Sequence, residues 1–476
     1  MQRSTPEESI LFDAWSELRG SMDSFHGAVT TGICVLLHQL ESALDVYPGL
    51  MLLDDLPTSL HEANRSASPD TIGKVLKRLE KTTPQYFLGL MGLINFDQFP
   101  DFDVEALRAC SRKIAQLDLS ARRPLAQLRL GELVERLWRH SAMSSRAFSS
   151  DFSSAPALRL MAQIAAVQER HSVHDPTCGA GGNLTATARY LAECGGDPST
   201  LYLTGQDRSG QQLALCRLNL LLHGLHKFDL REGDILDEPG FLTGEKPQLF
   251  DRVLSAPPWG AARQQRLRDR FHRFTYGEPP ARRADTAFLQ HALSATEPGG
   301  LTVLHLPSGV LFRDGAEKQI RQNLVVSGHL RAVVSLPSHI TPYVNLPSAL
   351  LVLKPEAHQE PSHPILLVDA RSMDFSWRDE DLRTLAPHLD RIVLALHTRQ
   401  PEPGFAIRPS IRELEGHDYN LLPHIYMQPT SAEKPDVAAL TDCVRRYEEE
   451  VGMARERLDS SLAEVRRISA NTRPRL

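Results

Sequence analysis

At 476 residues the chain is too long for one compact domain of ordinary size, so several cores, or one core with appendages, are expected. A 41% hydrophobic and 24% charged composition is that of an ordinary globular protein and excludes long compositional disorder. The net charge of -6 excludes an argument for nucleic-acid binding from the whole-chain balance; such binding has to rest on local patches.

The N-terminus, MQRSTPEESI, has no basic leader followed by an apolar stretch, so no signal peptide is expected. The densest apolar run, Ala28 to Leu40, is too short and too interrupted to cross a bilayer. Six cysteines, at 34, 110, 178, 194, 216 and 443, lack paired CxxC spacing, which argues against a disulfide framework, against a metal cluster, and for a reducing cytoplasm.

Residues 1–145 repeat apolar positions every three or four residues around Ile10–Arg19, Thr30–Leu44, Thr71–Lys81 and Leu128–His140, the pattern of an all-helical N-terminal domain. From about 150 short aliphatic runs alternate with helical patterns, the texture of a parallel sheet wrapped by helices. Strands are expected at Ser172–Asp175, Leu201–Asp207, Phe228–Gly233, Phe250–Ser255, Leu301–Leu306, Leu330–Leu336 and Ala349–Leu353. Helices are expected at Leu184–Cys194, Gln211–His223, Ala284–Thr296 and Glu317–Val325. A small extension holds one more strand, Pro364–Asp369, and in the tail Val437 to Ile468 carries a three-four repeat broken only at Ser461. That repeat reads as a coiled-coil helix, the alternative being an amphipathic helix packed on its own domain. The expected division is 1–145 helical, 146–356 α/β, 357–430 extension and 431–476 coiled-coil helix.

The run His174-Asp-Pro-Thr-Cys-Gly-Ala-Gly-Gly-Asn183 joins a predicted strand to a predicted helix, and Gly179, Gly181 and Gly182 let the backbone pass close to a ligand. Alone it could equally be a dinucleotide loop or a tight turn. Asp207 ends the next strand, where a carboxylate can accept from ribose hydroxyls, and Gly233-Asp234 ends the third, where an acceptor can reach an adenine amine. Either acid by itself would read as a capping carboxylate; one strand apart, they favour a nucleoside cofactor, with Asp175 and Thr177 of the glycine loop beside it.

The fourth strand ends in Leu254-Ser-Ala-Pro-Pro-Trp-Gly260. Two prolines freeze the backbone there, so that the Pro257 carbonyl can stand as a fixed acceptor beside the aromatic plate of Trp259. Such an acceptor counters the poor nucleophilicity of an exocyclic base amine, and the ring would stack on a base rotated out of a duplex. A proline-capped strand end with a core tryptophan is the plainer reading.

These residues resemble the modification subunits of type I restriction-modification systems, within the N6-adenine DNA methyltransferases. Asp175 to Gly182 looks like the family's DPxCGSGG cofactor loop, Gly205–Asp207 like its acidic strand end and Gly233-Asp234 like its GD element. Ala284-Asp-Thr-Ala-Phe-Leu-Gln-His-Ala-Leu293, Glu297-Pro-Gly-Gly300 and Leu306-Pro-Ser-Gly-Val-Leu-Phe-Arg313 match its central signature, with Leu336-Pro-Ser338 and Tyr419 to Tyr426 as later landmarks. The resemblance implies a Rossmann-like methyltransferase fold, S-adenosyl-L-methionine as cofactor, adenine in double-stranded DNA as substrate, and a specificity subunit docking on the C-terminal helix. It implies catalytic roles for the positions of Ala256, Pro257, Pro258 and Trp259.

Two departures bear on activity. The family's NPPF or NPPY is here Ala256-Pro-Pro-Trp259, so a methyl replaces the amide that should grip the target amine, a loss expected to slow turnover by orders of magnitude. Ser255 could substitute only through a one-residue bulge, since alternation aims it at the opposite face. Upstream, the family's FxTP is replaced by Phe152-Ser-Ser-Ala-Pro156, expected to loosen the cofactor's methionine end. The alternative to an impaired enzyme is a catalytically silent cofactor- and DNA-binding sensor or scaffold.

Between the double proline and the next helix lie Arg263, Arg266, Arg268, Arg270, Arg273, Arg282 and Arg283, with Phe271, Phe274 and Tyr276 as stacking surfaces. This basic loop is expected to contact DNA phosphates, the alternative being a solvated loop. No GxxxxGK[ST], HExxH or nucleophilic triad is found, and Cys178 reads as a small packing residue.

Overall fold

The computed structural model describes residues 5–44, 50, 53–99, 101–119, 124–142, 153–262, 267, 269–338, 340, 346–355, 365–373 and 382–427. Met1–Tyr426 form one compact unit; the helix expected over 437–468 lies outside the described residues.

The first part of the chain is helical: α1 (Pro6–Glu17), α2 (Ser24–Ser42), α3 (Leu56–Ser66), α4 (Pro69–Thr82), the single turns α5 (Pro84–Phe87) and α6 (Leu90–Leu93), α7 (Val104–Ile114) and α8 (Pro124–Ala142). Local sequence starts them. Thr5, Asp23 and Asp103 cap α1, α2 and α7 through side-chain oxygens, and Ser68 and Thr71 form a reciprocal capping box at α4. Trp138 of α8 fixes their packing, being fully buried with its indole N–H donated to Ala28 O at 3.0 Å.

The α/β part follows as α9 (Ala155–Ala165), β1 (Ser172–Asp175), α10 (Gly182–Glu193), β2 (Tyr202–Asp207), α11 (Gly210–Leu222), β3 (Phe228–Glu232), a short hairpin β4 (Leu242–Thr243) and β5 (Lys246–Pro247), β6 (Phe250–Ser255), α12 (Asp285–Ser294), β7 (Thr296–Pro307), α13 (Ala316–Val326), β8 (Leu330–Leu336), β9 (Ser348–Leu353), β10 (Leu366–Asp369), α14 (Leu382–Thr398), β11 (Ala406–Ile407) and α15 (Ile411–Gly416). Nine strands form one sheet in the order β11-β10-β8-β9-β7-β6-β1-β2-β3. β1, β2, β3, β6 and β7 are parallel, and β9 runs antiparallel between β7 and β8.

Strands β8 and β9 are buried almost throughout and read as near-continuous aliphatic runs, whereas the edge strand β3 is partly exposed. Neighbouring residues go to opposite faces: Leu254 and Val303 join the core under α9 and α10, whereas Val253 and Leu304 join the core under α12 and α13. The helical part is not insulated from the sheet, because Leu215, Leu218 and Leu222 of α11 belong to the same apolar cluster as α2 and α8. Strand order reverses between β1 and β6, the crevice at whose carboxyl ends doubly wound sheets bind ligands. No described helix is long and apolar enough to cross a membrane.

Candidate cofactor cavity and target corner

The glycine loop leaves β1 in a backbone conformation that few other residues adopt. Gly179 and Gly181 have φ of +50° and +85°, and a Cβ on Gly181 would stand 2.7 Å from Cys216 Sγ of α11. Gly182 is equally confined, its Cβ position lying 2.8 Å from Leu158 Cδ1 of α9. The loop is therefore pressed between two helices, and Cys178 beneath it is buried, as expected of a packing residue.

Asp175, expected beside the cofactor, is not among the residues that line the cavity described below. Its carboxylate is 1% exposed and turns under the loop, accepting from Thr177 N at 3.0 Å and Asn183 Nδ2 at 2.8 Å; burial pushes its pKa up to about 7. It braces the turn.

Asp207 accepts from Gly179 N at 3.1 Å and Ser209 N at 2.9 Å, so the ends of β1 and β2 are clamped together, and burial raises its pKa. Asp234, after β3, accepts from Leu236 N at 3.0 Å. Gln206, which no motif in the sequence singles out, is fully buried: its Nε2 donates to Gly233 O at 3.1 Å and Glu238 O at 2.8 Å, and its Oε1 accepts from Gly240 N at 2.7 Å. That side chain ties the β2 end to the turn carrying Asp234.

Thr177, Asp207, Gly233, Asp234 and Pro258 converge on one cavity of about 640 Å³, continued by Ile235, Leu236, Arg270, Ala284 and Phe288. Its volume falls within the roughly 300–1,000 Å³ of small-molecule sites. Asp207, Asp234 and Asp237 share its wall with aliphatic and aromatic side chains.

The double-proline corner lies at the end of β6. The strand keeps regular register with β7 through Ser255 opposite Leu304, its one irregularity lying at the far end between Phe250 and Arg252. Without a bulge Ser255 is fully buried, with its Oγ 2.6 Å from Thr177 Oγ1. Ala256 is half-buried, Pro257 buried and Pro258 exposed. Trp259 is half-buried, donates Nε1–H to His305 O at 3.2 Å and meets the His305 ring edge-on at 5.1 Å. His305 is buried on β7, 3.0 Å from Ser348 Oγ, and burial pulls its pKa down to about 4, so it stands neutral.

The arginine loop divides. Arg263, Arg266 and Arg268 lie outside the described residues. Arg270 lines the cavity and donates Nη2 to Asp237 O at 3.2 Å. Arg273 is not a surface cation: it is 1% exposed, donates to Ile235 O at 2.9 Å, Leu236 O at 2.7 Å and His291 Nδ1 at 3.1 Å, and sits between the rings of Phe271 and Phe274. Those hydrogen bonds satisfy carbonyls of the Asp234 turn, so Arg273 and both rings anchor the loop. Tyr276 is likewise engaged, its hydroxyl 2.6 Å from His329 Nδ1. Arg282 and Arg283 are exposed, Arg283 lying 4.0 Å from Glu317. Among the described residues no group of three His, Cys, Asp or Glu could hold a metal ion.

The N-6 DNA methylase family model matches residues 129–435. The type I restriction enzyme MjaVII methylase subunit of Methanocaldococcus jannaschii is 28% identical over 367 residues, covering 74% of this chain; the chain spans 60% of that relative's length. Among solved structures, the type I restriction-modification methyltransferase subunit from Streptococcus thermophilus shares the fold with a TM-score of 0.71 at 23% identity, covering 89% of this chain and 99% of that one. A chain from a study of assembly and conformational transition of the type I system matches at 0.64 and 16% identity, covering 97% of this chain and 99% of that one. The chain therefore belongs to the N-6 DNA methylase family, which it shares with the methylase subunits of type I restriction enzymes.

Proposed function

We propose that the protein is the modification subunit of a type I-like restriction-modification or defence complex, binding S-adenosyl-L-methionine and double-stranded DNA, with methyl transfer to adenine N6 weakened at Ala256. The observation that carries this reading is the convergence of Thr177, Asp207, Asp234 and Pro258 on one cavity at the switch point of the sheet. The cavity suits the cofactor: Asp207 at the end of one strand and Asp234 just after the next, with Ile235, Leu236, Ala284 and Phe288 as an aliphatic and aromatic wall. Bound there, S-adenosylmethionine supplies an electrophilic methyl group. Asp207 would accept from the ribose hydroxyls and Asp234 from the adenine amine, with Thr177 on the cavity wall and Gly179, Gly181 and Gly182 letting the loop behind it pack against the flanking helices.

The Pro257 carbonyl would accept from one proton of the target amine and Trp259 would stack on its base, while Pro258 joins target corner to cofactor cavity. Position 256 offers only a methyl group, and the Ser255 hydroxyl is committed to Thr177. This favours slow transfer and gives weight to a second reading, a catalytically silent sensor or scaffold that retains both binding surfaces. Exposed Arg282 and Arg283, with Arg263, Arg266 and Arg268, are the candidate phosphate contacts. Site selection would come from a specificity subunit docked on the 431–476 helix, with 1–145, 146–356 and 357–430 as helical, methyltransferase and extension segments. Sequencing native DNA for N6-methyladenine with and without the gene tests the enzymatic reading. Sparse, gene-dependent marks at one motif are expected, dense marks would overturn the impairment, and none would leave the sensor reading.

A further inference from the structure

The double-proline corner is followed by Gly260, whose φ of +62° lies in the left-handed region. Its N–H is held by a residue distant in sequence. Asp285, at the start of α12, is fully buried, and its Oδ1 accepts from Gly260 N at 2.9 Å. The other oxygen, Oδ2, is 3.4 Å from Arg313 Nη1, which lies at the same distance from Glu317 Oε1. Next to Asp285, Ala284 N donates to Ala261 O at 3.0 Å, so the chain leaving the corner is tied twice to the beginning of α12.

Room for the guanidinium is built into the loop after β7: a Cβ at Gly309 would lie 2.2 Å from the Arg313 head group. Arg321, itself buried, donates Nη1 to the Arg313 carbonyl at 3.0 Å and fixes the backbone from which that side chain springs.

A wholly buried carboxylate is an expensive way to begin a helix. An exposed Ser, Thr or Asp at the cap position does that at the surface, and Ala284, which occupies it, makes no side-chain cap. The carboxylate is instead directed across to Gly260.

We propose that Asp285 and Arg313 are positioning residues for the target corner: Arg313 orients the Asp285 carboxylate, which holds Gly260 and with it the Pro257 carbonyl and Trp259. On the other side Trp259 is pinned to the His305 carbonyl, so the corner is gripped at two points by α12 and β7. Neither positioning residue touches the substrate. The inference rests on reading this corner as the target-amine site, and it explains what two separate stretches of the sequence, around 285 and around 313, do for the residues at 256–260.

The test uses the full chain labelled with 5-fluorotryptophan, which gives four resonances, for Trp15, Trp138, Trp259 and Trp377, with Trp259 assigned through Trp259→Phe. Asp285→Ala and Arg313→Gln are expected to move the Trp259 resonance, leave those of Trp15 and Trp138 in place, and keep the dissociation constant for S-adenosylmethionine within about twofold, taking a shift near 0.4 kcal/mol as the limit. In an Ala256→Asn background, with partner subunits and DNA from a strain lacking the gene, kcat should fall on the order of 10²-fold, with KM for S-adenosylmethionine unchanged. Asp285→Asn, which keeps an acceptor for Gly260 N–H, should retain most of the rate. An unmoved Trp259 resonance in Arg313→Gln, or an unchanged kcat in Asp285→Ala, overturns the assignment. If Asp285→Ala does not fold, the Arg313→Gln spectrum decides. If Ala256→Asn gains no transfer, the amine-gripping reading fails, while the fluorine spectrum still judges the positioning.

Discussion

Replacing Ala256 by Asn returns a carboxamide to the point where β6 gives way to the double proline. The neighbouring groups leave the position chemically empty: Ser255 Oγ is 2.6 Å from Thr177 Oγ1 on the buried side, and Pro257 has no N–H. A preorganised hydrogen bond made chiefly in the transition state contributes about 3 kcal/mol. Ordering the new side chain, whose rotamer no evolved neighbour holds, costs about 1 kcal/mol. The difference, about 2 kcal/mol, corresponds to roughly a 30-fold rise in rate. The assay is transfer of a tritiated methyl group from S-adenosylmethionine to DNA, with partner subunits present and calorimetric affinity measured alongside. Ala256→Leu, which adds bulk and no acceptor, should give no rise. Equal transfer rates in wild type and Ala256→Asn, with both binding cofactor and DNA, would refute a role for an amide at this position.

Gly181→Ala must accommodate a φ of +85° and a Cβ 2.7 Å from Cys216 Sγ, so it should lower Tm and weaken S-adenosylmethionine binding at least tenfold by calorimetry, a loss of about 1.4 kcal/mol. Arg273→Ala strips two carbonyls of their donors and should lower Tm, whereas Arg282→Ala with Arg283→Ala should leave Tm alone and reduce the salt slope of DNA binding by about two. His305 carries a pH prediction. Its folded pKa is lowered to about 4, so as pH falls below 6.5 the unfolded chain takes up the proton first; its stabilising share is complete above 6.5 and drains away toward pH 4. At pH 4.5 the two-unit gap amounts to at most about 2.7 kcal/mol, and Tm measured from pH 7 to 4.5 should fall less steeply in His305→Gln than in wild type.

Buried on both faces, β8 announces itself as an aliphatic run, and β1, β6 and β8 lie where the sequence places them, at Ser172–Asp175, Phe250–Ser255 and Leu330–Leu336. β7 extends back to Thr296 through Pro298 and two glycines, beyond the expected Leu301–Leu306, because residues of low strand propensity hide that start. Helices α9 and α14 were not anticipated: the first is apolar on nearly every face, and the second carries Pro387 inside it. Asp207 and Asp234 line the cavity because they lie at and just after the carboxyl ends of adjacent parallel strands, β2 and β3, a relation legible from the alternation of strands and helices. Asp175 ends a strand too, but the loop folds over it, and burial cannot be read from spacing. Arg273 and Arg270 are indistinguishable by type and differ only in whether neighbouring backbone carbonyls enclose the side chain. The tie between Gly260 and Asp285 spans a sequence separation that no local pattern encodes.

Titration of S-adenosylmethionine into the full-length wild-type chain and into Asp207→Ala bears most directly on the claim that glycine loop, strand-end carboxylates and double-proline corner enclose one nucleoside cofactor. One site is expected in the wild type and, in Asp207→Ala, an affinity at least tenfold weaker, from loss of about 1.5–3 kcal/mol of charge-assisted hydrogen bonding to the ribose. A wild-type chain that binds no S-adenosylmethionine, or an Asp207→Ala chain that binds it equally well, would contradict it.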